Sequence, residues 1–136
     1  MRGDFYWPLR VYYEDTDAAG IVYYANYLKF MERARTEWLR SLGFNQEQLR
    51  HEHGIVFAVT RLSNHYLQPA RLDDQLSVSV CLKRMARASF ELGQHVVRDD
   101  GATLCEGQVT IVCLAAQELK PRKFPSFLLT ELRRED

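Results

Sequence analysis

The feature that most constrains the fold is a long amphipathic stretch that begins at about Asn26 and ends before Gly43. Its apolar residues recur every three or four positions: Tyr27, Met31, Ala34, Trp38 and Leu42. This spacing matches the period of an α-helix and predicts one rod of about 25 Å with a broad apolar face. Asn26 is a candidate N-cap, and Gly43 stands where a C′ glycine would end the helix. Such a face has to be covered by other parts of the chain.

Segments rich in strand-forming residues lie unevenly around this helix, with one before it and four after it. They cover residues 9–13, 55–66, 76–82, 89–98 and 103–114. Apolar and polar residues alternate in the third segment, which predicts a sheet with one buried face. The Asp100-Gly101 pair favours a tight hairpin between the last two segments. One helix between a first strand and four antiparallel strands predicts an α+β fold rather than the alternation of a parallel sheet.

Shorter features complete the predicted domain. Two further helices are predicted, at residues 45–52 and 126–132. Pro8 is placed where the first strand begins, because proline cannot donate to a central ladder, and Gly107 is interpreted as a bulge in the last strand. A length of 136 residues without a Pro/Gly/Ser-rich linker predicts a single domain, residues 1–136.

Composition excludes several classes of protein. The 18 basic and 18 acidic residues cancel, so no global positive field is available to hold nucleic acid. No apolar run approaches the roughly 20 residues of a membrane span, and the N-terminus lacks the apolar core of a secretory signal, which predicts a cytoplasmic protein. Cys81, Cys105 and Cys113 lie in apolar, strand-like sequence and are interpreted as reduced core thiols.

The clearest functional signal is the acidic turn Glu14-Asp15-Thr16-Asp17, which leads through Gly20 into the start of the long helix. A helix start carries unpaired N–H groups and a partial positive charge, so it can polarise a carbonyl oxygen. A nearby carboxylate can then attack the carbonyl carbon or activate water. This combination indicates acyl-transfer chemistry, although ordinary turn or capping acids give the same spacing.

Four stretches closely resemble the hotdog-fold acyl-CoA thioesterases, in particular the YbgC type associated with the Tol-Pal operon and its relative 4-hydroxybenzoyl-CoA thioesterase. They are residues 14–27, 32–37, 66–74 and 119–122. The resemblance implies a hotdog fold, in which a curved five-stranded antiparallel sheet wraps around one long central helix. It also implies that two subunits join edge to edge, in a homodimer or homotetramer, with each pocket between two subunits.

The same resemblance implies roles for individual residues. Asp17 is the expected catalytic carboxylate, as nucleophile or as general base, and the backbone N–H of Tyr24 is expected to polarise the thioester carbonyl. Many YbgC-type members carry histidine at the position of Tyr24, whereas tyrosine agrees with the hydroxybenzoyl-CoA branch. Arg87 and Ser89 are the candidate ligands of coenzyme A, ahead of Lys120, Arg122 and Lys123. No dissociable cofactor is expected, because coenzyme A is part of the acyl-CoA substrate.

Two alternatives come from other functional classes. A scaffold that binds acyl carrier protein or phospholipid-synthesis enzymes would keep its partners after Asp17→Asn, whereas a hydrolase would lose thiol release. A hotdog dehydratase acting on hydroxyacyl thioesters is disfavoured, because a paired histidine and glutamate have no counterpart beside Asp17. The side chains of Tyr23, Tyr24 and Tyr27 have a second interpretation, as packing residues of a subunit interface.

The remaining charged residues predict no metal site. A calcium loop at the acidic turn would need a third acid at Ala19 and a bidentate glutamate at Asn26. The four histidines are interpreted as structural or surface residues. Spaced ion pairs are expected on a solvated or interface-covered helix face among Glu32, Arg33, Arg35, Glu37 and Arg40.

Overall fold

The structure, a computed structural model, describes residues 4–133 and contains five β-strands and three α-helices there. The strands are β1 (Phe5–Arg10), β2 (Ile55–Tyr66), β3 (Gln75–Met85), β4 (Ser89–Arg98) and β5 (Thr103–Ala115). The helices are α1 (Asn26–Ser41), α2 (Gln46–His53) and α3 (Ser126–Arg133). The α+β class and the three helices are confirmed. None of the helices within 4–133 combines the length and the apolar character that a membrane crossing requires.

The five strands form one antiparallel sheet in the order β1-β3-β4-β5-β2, which confirms the predicted sheet. β2 is therefore an edge strand, and it carries exposed apolar side chains. Val59 is 50% exposed and Leu62 is 42% exposed. The register with β5 shifts between Val59 and Arg61, which marks a bulge. An edge strand of this kind is a template for pairing with a further strand.

Helix α1 buries its apolar face against the sheet. Its buried side chains are Tyr27, Phe30, Met31, Ala34, Trp38 and Leu39. The alternating residues of β3 are buried as predicted: Leu76, Val78, Val80 and Leu82. The rings of Trp38 and Phe90 lie 5.9 Å apart across this layer. The helix also ends as predicted, since Gly43 has a φ of 94° and its N–H donates to the Arg40 carbonyl oxygen at 2.9 Å.

The first strand lies earlier in the chain than predicted. β1 covers Phe5–Arg10 instead of residues 9–13, because residues Tyr13–Asp15 form a 3-10 turn. Pro8 therefore lies inside the strand and not at its start, so this part of the prediction is wrong. The proline is tolerated there because β1 is the other edge of the sheet.

Gly107 is explained by a close approach and not by the predicted bulge. It stays in register with Asn64 on β2 and with Gln94 on β4. A Cβ atom at this position would overlap Asn64 Oδ1 and would lie 3.0 Å from the carbonyl oxygen of Ser63. The glycine therefore leaves room for the Asn64 side chain, whose Oδ1 is buried without a hydrogen-bond partner among the described residues.

The cysteines are free thiols, and Cys105 and Cys113 are buried as predicted, while Cys81 is partly exposed. Burial raises the pKa of Cys105 to about 11. It also raises the pKa of Cys113. Both buried thiols therefore stay protonated near neutral pH and act as small apolar side chains.

Gly107→Ala should lower the free energy of unfolding by about 1–3 kcal/mol, because the new methyl group displaces the Asn64 side chain. Urea denaturation at a fixed protein concentration measures this change. The double variant Asn64→Ala, Gly107→Ala should recover part of the loss, since it removes the overlapping oxygen. A wild-type urea midpoint for Gly107→Ala alone would contradict this explanation of the glycine.

Candidate active site

The acidic turn folds into a short hairpin between β1 and α1. Thr16 and Val22 form an antiparallel bridge, and the N–H of Asp17 donates to the Ile21 carbonyl oxygen at 2.9 Å. Gly20 closes the turn with a φ of 80°, a backbone conformation that favours glycine. The hairpin gives each acid of the turn a distinct environment.

Asp15 is the structural acid of this hairpin. It is only 9% exposed, and each carboxylate oxygen accepts one hydrogen bond. Oδ2 accepts from the backbone N–H of Tyr12 at 2.9 Å, and Oδ1 accepts from the side-chain amide of Asn26 at 2.8 Å. These two bonds connect the segment after β1, the hairpin and the first residue of α1. Hydrogen bonds to a charged acceptor are the stronger class, so Asp15 fixes the hairpin against the helix.

Asn26 does not cap α1, so the predicted N-cap is wrong. The N-cap residue is Ala25, which has helical dihedral angles and makes no side-chain cap bond. The chain enters the helix through a turn in which the Asn26 N–H donates to the Tyr23 carbonyl oxygen at 2.8 Å. The side-chain amide of Asn26 is therefore free to donate to Asp15. The preference of asparagine for helix N-caps does not predict this partner, because Asp15 lies 11 residues earlier in the chain.

Asp17 is exposed and less constrained than Asp15. Its Oδ1 accepts a hydrogen bond from the N–H of Ala19 at 2.8 Å, which is an Asx-turn. Its Oδ2 has no hydrogen bond to any residue between 4 and 133. One carboxylate oxygen is thus held in the hairpin while the other remains available for a ligand.

Tyr24 directly precedes the N-cap residue, and its N–H makes no hydrogen bond within the described part of the chain. Its ring is 61% exposed and lies 4.8 Å from the ring of Tyr23 and 6.2 Å from that of Tyr66. Tyr27 differs, because it is 3% exposed and its hydroxyl accepts from the Ala70 N–H at 3.0 Å. Burial also raises the pKa of Tyr27. Tyr27 is therefore a core residue and not a surface residue awaiting a partner.

The mid-chain stretch 66–74 packs directly against the acidic hairpin. The N–H of Val22 donates to the Ala70 carbonyl oxygen at 2.8 Å, and Ile21 forms a bridge with Arg71. Two stretches that are distant in sequence thus form one wall of the candidate site. Neither hydrophobic periodicity nor turn chemistry signals this contact.

Arg87 and Ser89 lie at the opposite end of the sheet from Asp17. Arg10, which precedes the acidic hairpin, pairs with Gln75 at the start of β3, whereas Arg87 and Ser89 follow the end of β3. The 11 residues of β3 span about 35 Å. Within one protomer the structure therefore does not bring Arg87 or Ser89 to Asp17.

The other basic candidates lie at the same end as Arg87. Arg122 Nη1 donates to the carbonyl oxygens of His53 at 3.2 Å and Gly54 at 3.4 Å, so it holds the end of α2. The N–H of Phe124 donates to the Arg87 carbonyl oxygen at 3.0 Å, which places this segment beside the β3–β4 turn. The Arg87 side chain is exposed and makes no hydrogen bond to a described residue. Arg122 thus has a structural role, and Arg87 is free for a ligand.

A pocket of about 190 Å³ lies between α1 and the sheet. Polar side chains of α1 and the start of α2 line one side: Glu32, Arg35, Thr36 and Gln46. Apolar side chains line the other side, including Phe57, Val59, Phe90, Leu92 and Ile111. Since Phe57 and Val59 belong to β2, the pocket lies next to the free edge of the sheet. It combines an apolar wall with a few polar groups, as small-molecule sites do.

Known proteins resemble this chain in both fold and sequence. Residues 11–132 match the family model of the thioesterase-like superfamily. The chain belongs to this family, and its antiparallel sheet with helices is the hotdog fold of the family's solved structures.

Two curated relatives are similar over almost their full length. The acyl-CoA thioester hydrolase YbgC of Escherichia coli O6:H1 is 42% identical over 95% of this chain and 96% of its own length. The acyl-CoA thioesterase YbgC of Haemophilus influenzae is 42% identical over 92% of this chain and 91% of its own length. The crystal structure of a probable thioesterase from Bartonella henselae is also similar, with a TM-score of 0.86 and 33% identity, and the match covers 90% of this chain and 100% of that chain.

Asp15→Ala should lower the free energy of unfolding by about 2–4 kcal/mol, because the Tyr12 N–H and the Asn26 amide lose a charged acceptor. Urea unfolding followed by tryptophan fluorescence at one protein concentration measures the loss. The neighbouring exposed acid gives a matched control, and Glu14→Ala should change the value by less than about 0.5 kcal/mol. Equal effects of the two substitutions would show that Asp15 does not hold the hairpin.

Proposed function

We propose that this protein hydrolyses acyl-CoA thioesters to a free acid and coenzyme A. Its membership of the thioesterase-like superfamily supports the reaction class, and the names of its 42%-identical relatives support acyl-CoA as the substrate. The observation that carries the proposal is the acidic hairpin. Asp15 fixes it to the first residue of α1, while Oδ2 of Asp17 accepts no hydrogen bond from a described residue.

The proposed chemistry uses two groups of the chain. The Tyr24 N–H polarises the thioester carbonyl oxygen, and Asp17 acts at the carbonyl carbon. As a nucleophile, Asp17 bonds to that carbon, the C–S bond breaks, the thiolate leaves, and water hydrolyses the resulting anhydride. As a general base, Asp17 takes a proton from water while the water oxygen attacks, and the proton passes to the leaving sulfur. Both routes consume one water and need an ionised carboxylate.

The proposed active unit is a homodimer joined through β2, alone or paired into a homotetramer. The free edge of β2 and the exposed Val59 and Leu62 support this interface. Two copies of β2 that pair antiparallel would place opposite ends of the two sheets side by side. Asp17 would then lie near the partner subunit's Arg87 and the partner subunit's Ser89, which would hold the phosphates of coenzyme A.

In this dimer the pocket beside α1 would hold the acyl group. Tyr66, at the end of β2, lies 6.2 Å from Tyr24, whereas Phe57 of the pocket lies near the start of β2. A full antiparallel overlap of the two β2 strands would therefore bring Tyr24 of one protomer to the pocket of the other. The acyl chain would enter the apolar side of the pocket while its carbonyl group stays at Tyr24 and Asp17.

Asp17→Asn should lower kcat for thiol release about 100- to 10,000-fold, because the amide can neither attack the carbonyl nor accept a proton from water. The measurement compares short, long and aromatic acyl-CoAs and acyl carrier protein thioesters. Circular dichroism should stay unchanged, since Asp17 is exposed, and the control Glu14→Gln should keep wild-type turnover.

Comparable turnover by wild type and Asp17→Asn on the best substrate would remove Asp17 from the catalytic role. Absence of thiol release from every acyl-CoA, together with tight binding to acyl carrier protein, would favour the scaffold function instead.

Leu62→Lys should dissociate the proposed dimer, because each subunit would place a charged side chain in the apolar contact between the two β2 strands. Sedimentation velocity should show that the mass of the assembly falls by half, and thiol release should be lost with it. Leu119→Lys is the matched control, because Leu119 is 61% exposed and lies outside the strands. An unchanged mass for Leu62→Lys would exclude β2 as the interface.

A further inference from the structure

A buried glutamine fixes Arg35 in the pocket beside α1. Arg35 Nη1 donates to Gln94 Oε1 at 3.0 Å, and Gln94 Nε2 donates to the Met31 carbonyl oxygen at 3.0 Å. Gln94 is 2% exposed, so neither of its polar atoms turns to solvent. The bond to Met31 orients the Gln94 amide so that its oxygen faces the guanidinium of Arg35. The bond to Gln94 then holds Arg35 at the wall of the pocket.

The guanidinium of Arg35 has no ion-pair partner among the described residues. Burial lowers the pKa of Arg35, and the nearby charge of Glu32 opposes this shift. No carboxylate of residues 4–133 forms an ion pair with the guanidinium, in contrast to the pair of Arg40 and Glu37 at 2.6 Å on the same helix. Of the five N–H donors of an arginine, the bond to Gln94 uses one. Unpaired donors on a partly buried cation favour a ligand that brings an acceptor.

We propose that Arg35, oriented by Gln94, selects acyl groups that carry an oxygen acceptor at the end remote from the thioester. The inference rests on the proposed function, because it treats this pocket as the acyl site. The pocket walls of Phe57, Phe90 and Leu92 suit a methylene chain, and Arg35 offers its spare donors within the same pocket. A purely apolar acyl group would leave those donors without a partner.

Glu32 determines which acceptor is preferred. A carboxylate can bind the guanidinium fork through two parallel hydrogen bonds. It also brings a second negative charge towards Glu32, which lines the same pocket. A ketone oxygen accepts from Arg35 without this repulsion. The oxygen acceptor is the chemistry that both ligands share, and a comparison of the two measures the effect of Glu32.

Three acyl-CoAs of the same shape test the proposal: 5-methylhexanoyl-CoA, 5-oxohexanoyl-CoA and glutaryl-CoA. They differ in the two groups on the fifth carbon of the acyl chain. These are two methyl groups in the first, one methyl group and a ketone oxygen in the second, and two carboxylate oxygens in the third. The readout is the ratio of kcat/KM for each oxygenated substrate to that for the apolar one, in wild type and in Arg35→Met. Arg33→Met is the matched control, because Arg33 is exposed on the same helix.

Arg35→Met should lower at least one of these ratios about 10- to 100-fold, because a hydrogen bond to a charged donor is lost from that substrate alone. Arg33→Met should leave the ratios unchanged. Arg35→Lys keeps the charge without the planar fork and should give intermediate ratios. This second variant decides the question if circular dichroism shows that Arg35→Met does not fold.

Equal ratios for wild type and both folded Arg35 variants would overturn the proposal. An equal loss on all three substrates would overturn it too, because Arg35 would then support the site without selecting the acyl group. Absence of thiol release by the wild type from every acyl-CoA is a different result, and it would refute the proposed function on which the inference rests.

Discussion

The two hydrogen bonds of the Asp15 carboxylate hold the candidate site together. They join the segment after β1 to the first residue of α1, so the hairpin between these elements has a fixed position. The mid-chain stretch around Ala70 then packs on the other side through Val22 and Tyr27. Because Asp15 does this structural work, Asp17 is left with an oxygen that no described residue binds. The two aspartates of one short turn thus serve different purposes.

Local periodicity was sufficient to predict much of the fold. β2 and β4 have the predicted bounds, since each is a long run of strand-forming residues between clear breaks. The predictions failed where a distant contact decides the local structure. Asparagine is a residue type that often caps helices, but the side-chain amide of Asn26 donates to Asp15 instead. Gly107 makes room for the Asn64 side chain on the neighbouring strand. Neither contact leaves a pattern in the residues next to it.

The sequence predicted the residue types of the candidate site better than their arrangement. Resemblance to a family pointed to Asp17 and Arg87, but only the strand register shows that one chain places them at opposite ends of the sheet. Arg35 was expected in an ion pair on a covered or solvated helix face. The expectation is wrong for Arg35, because its guanidinium binds Gln94 of β4, and a helical charge pattern does not contain that strand.

The exposure of Asp17 in a single protomer has a physical consequence for the proposed dimer. An exposed carboxylate is stabilised by water, and it is a weaker nucleophile and base than one placed in a drier cleft. Pairing through β2 would cover Asp17 with the partner's pocket, where electrostatic effects on the thioester carbonyl are stronger. The same pairing would bring the acyl chain to Arg35 and Gln94. Association of two subunits would therefore give Asp17 a drier environment and bring the acyl chain to the pocket of Arg35 in one step.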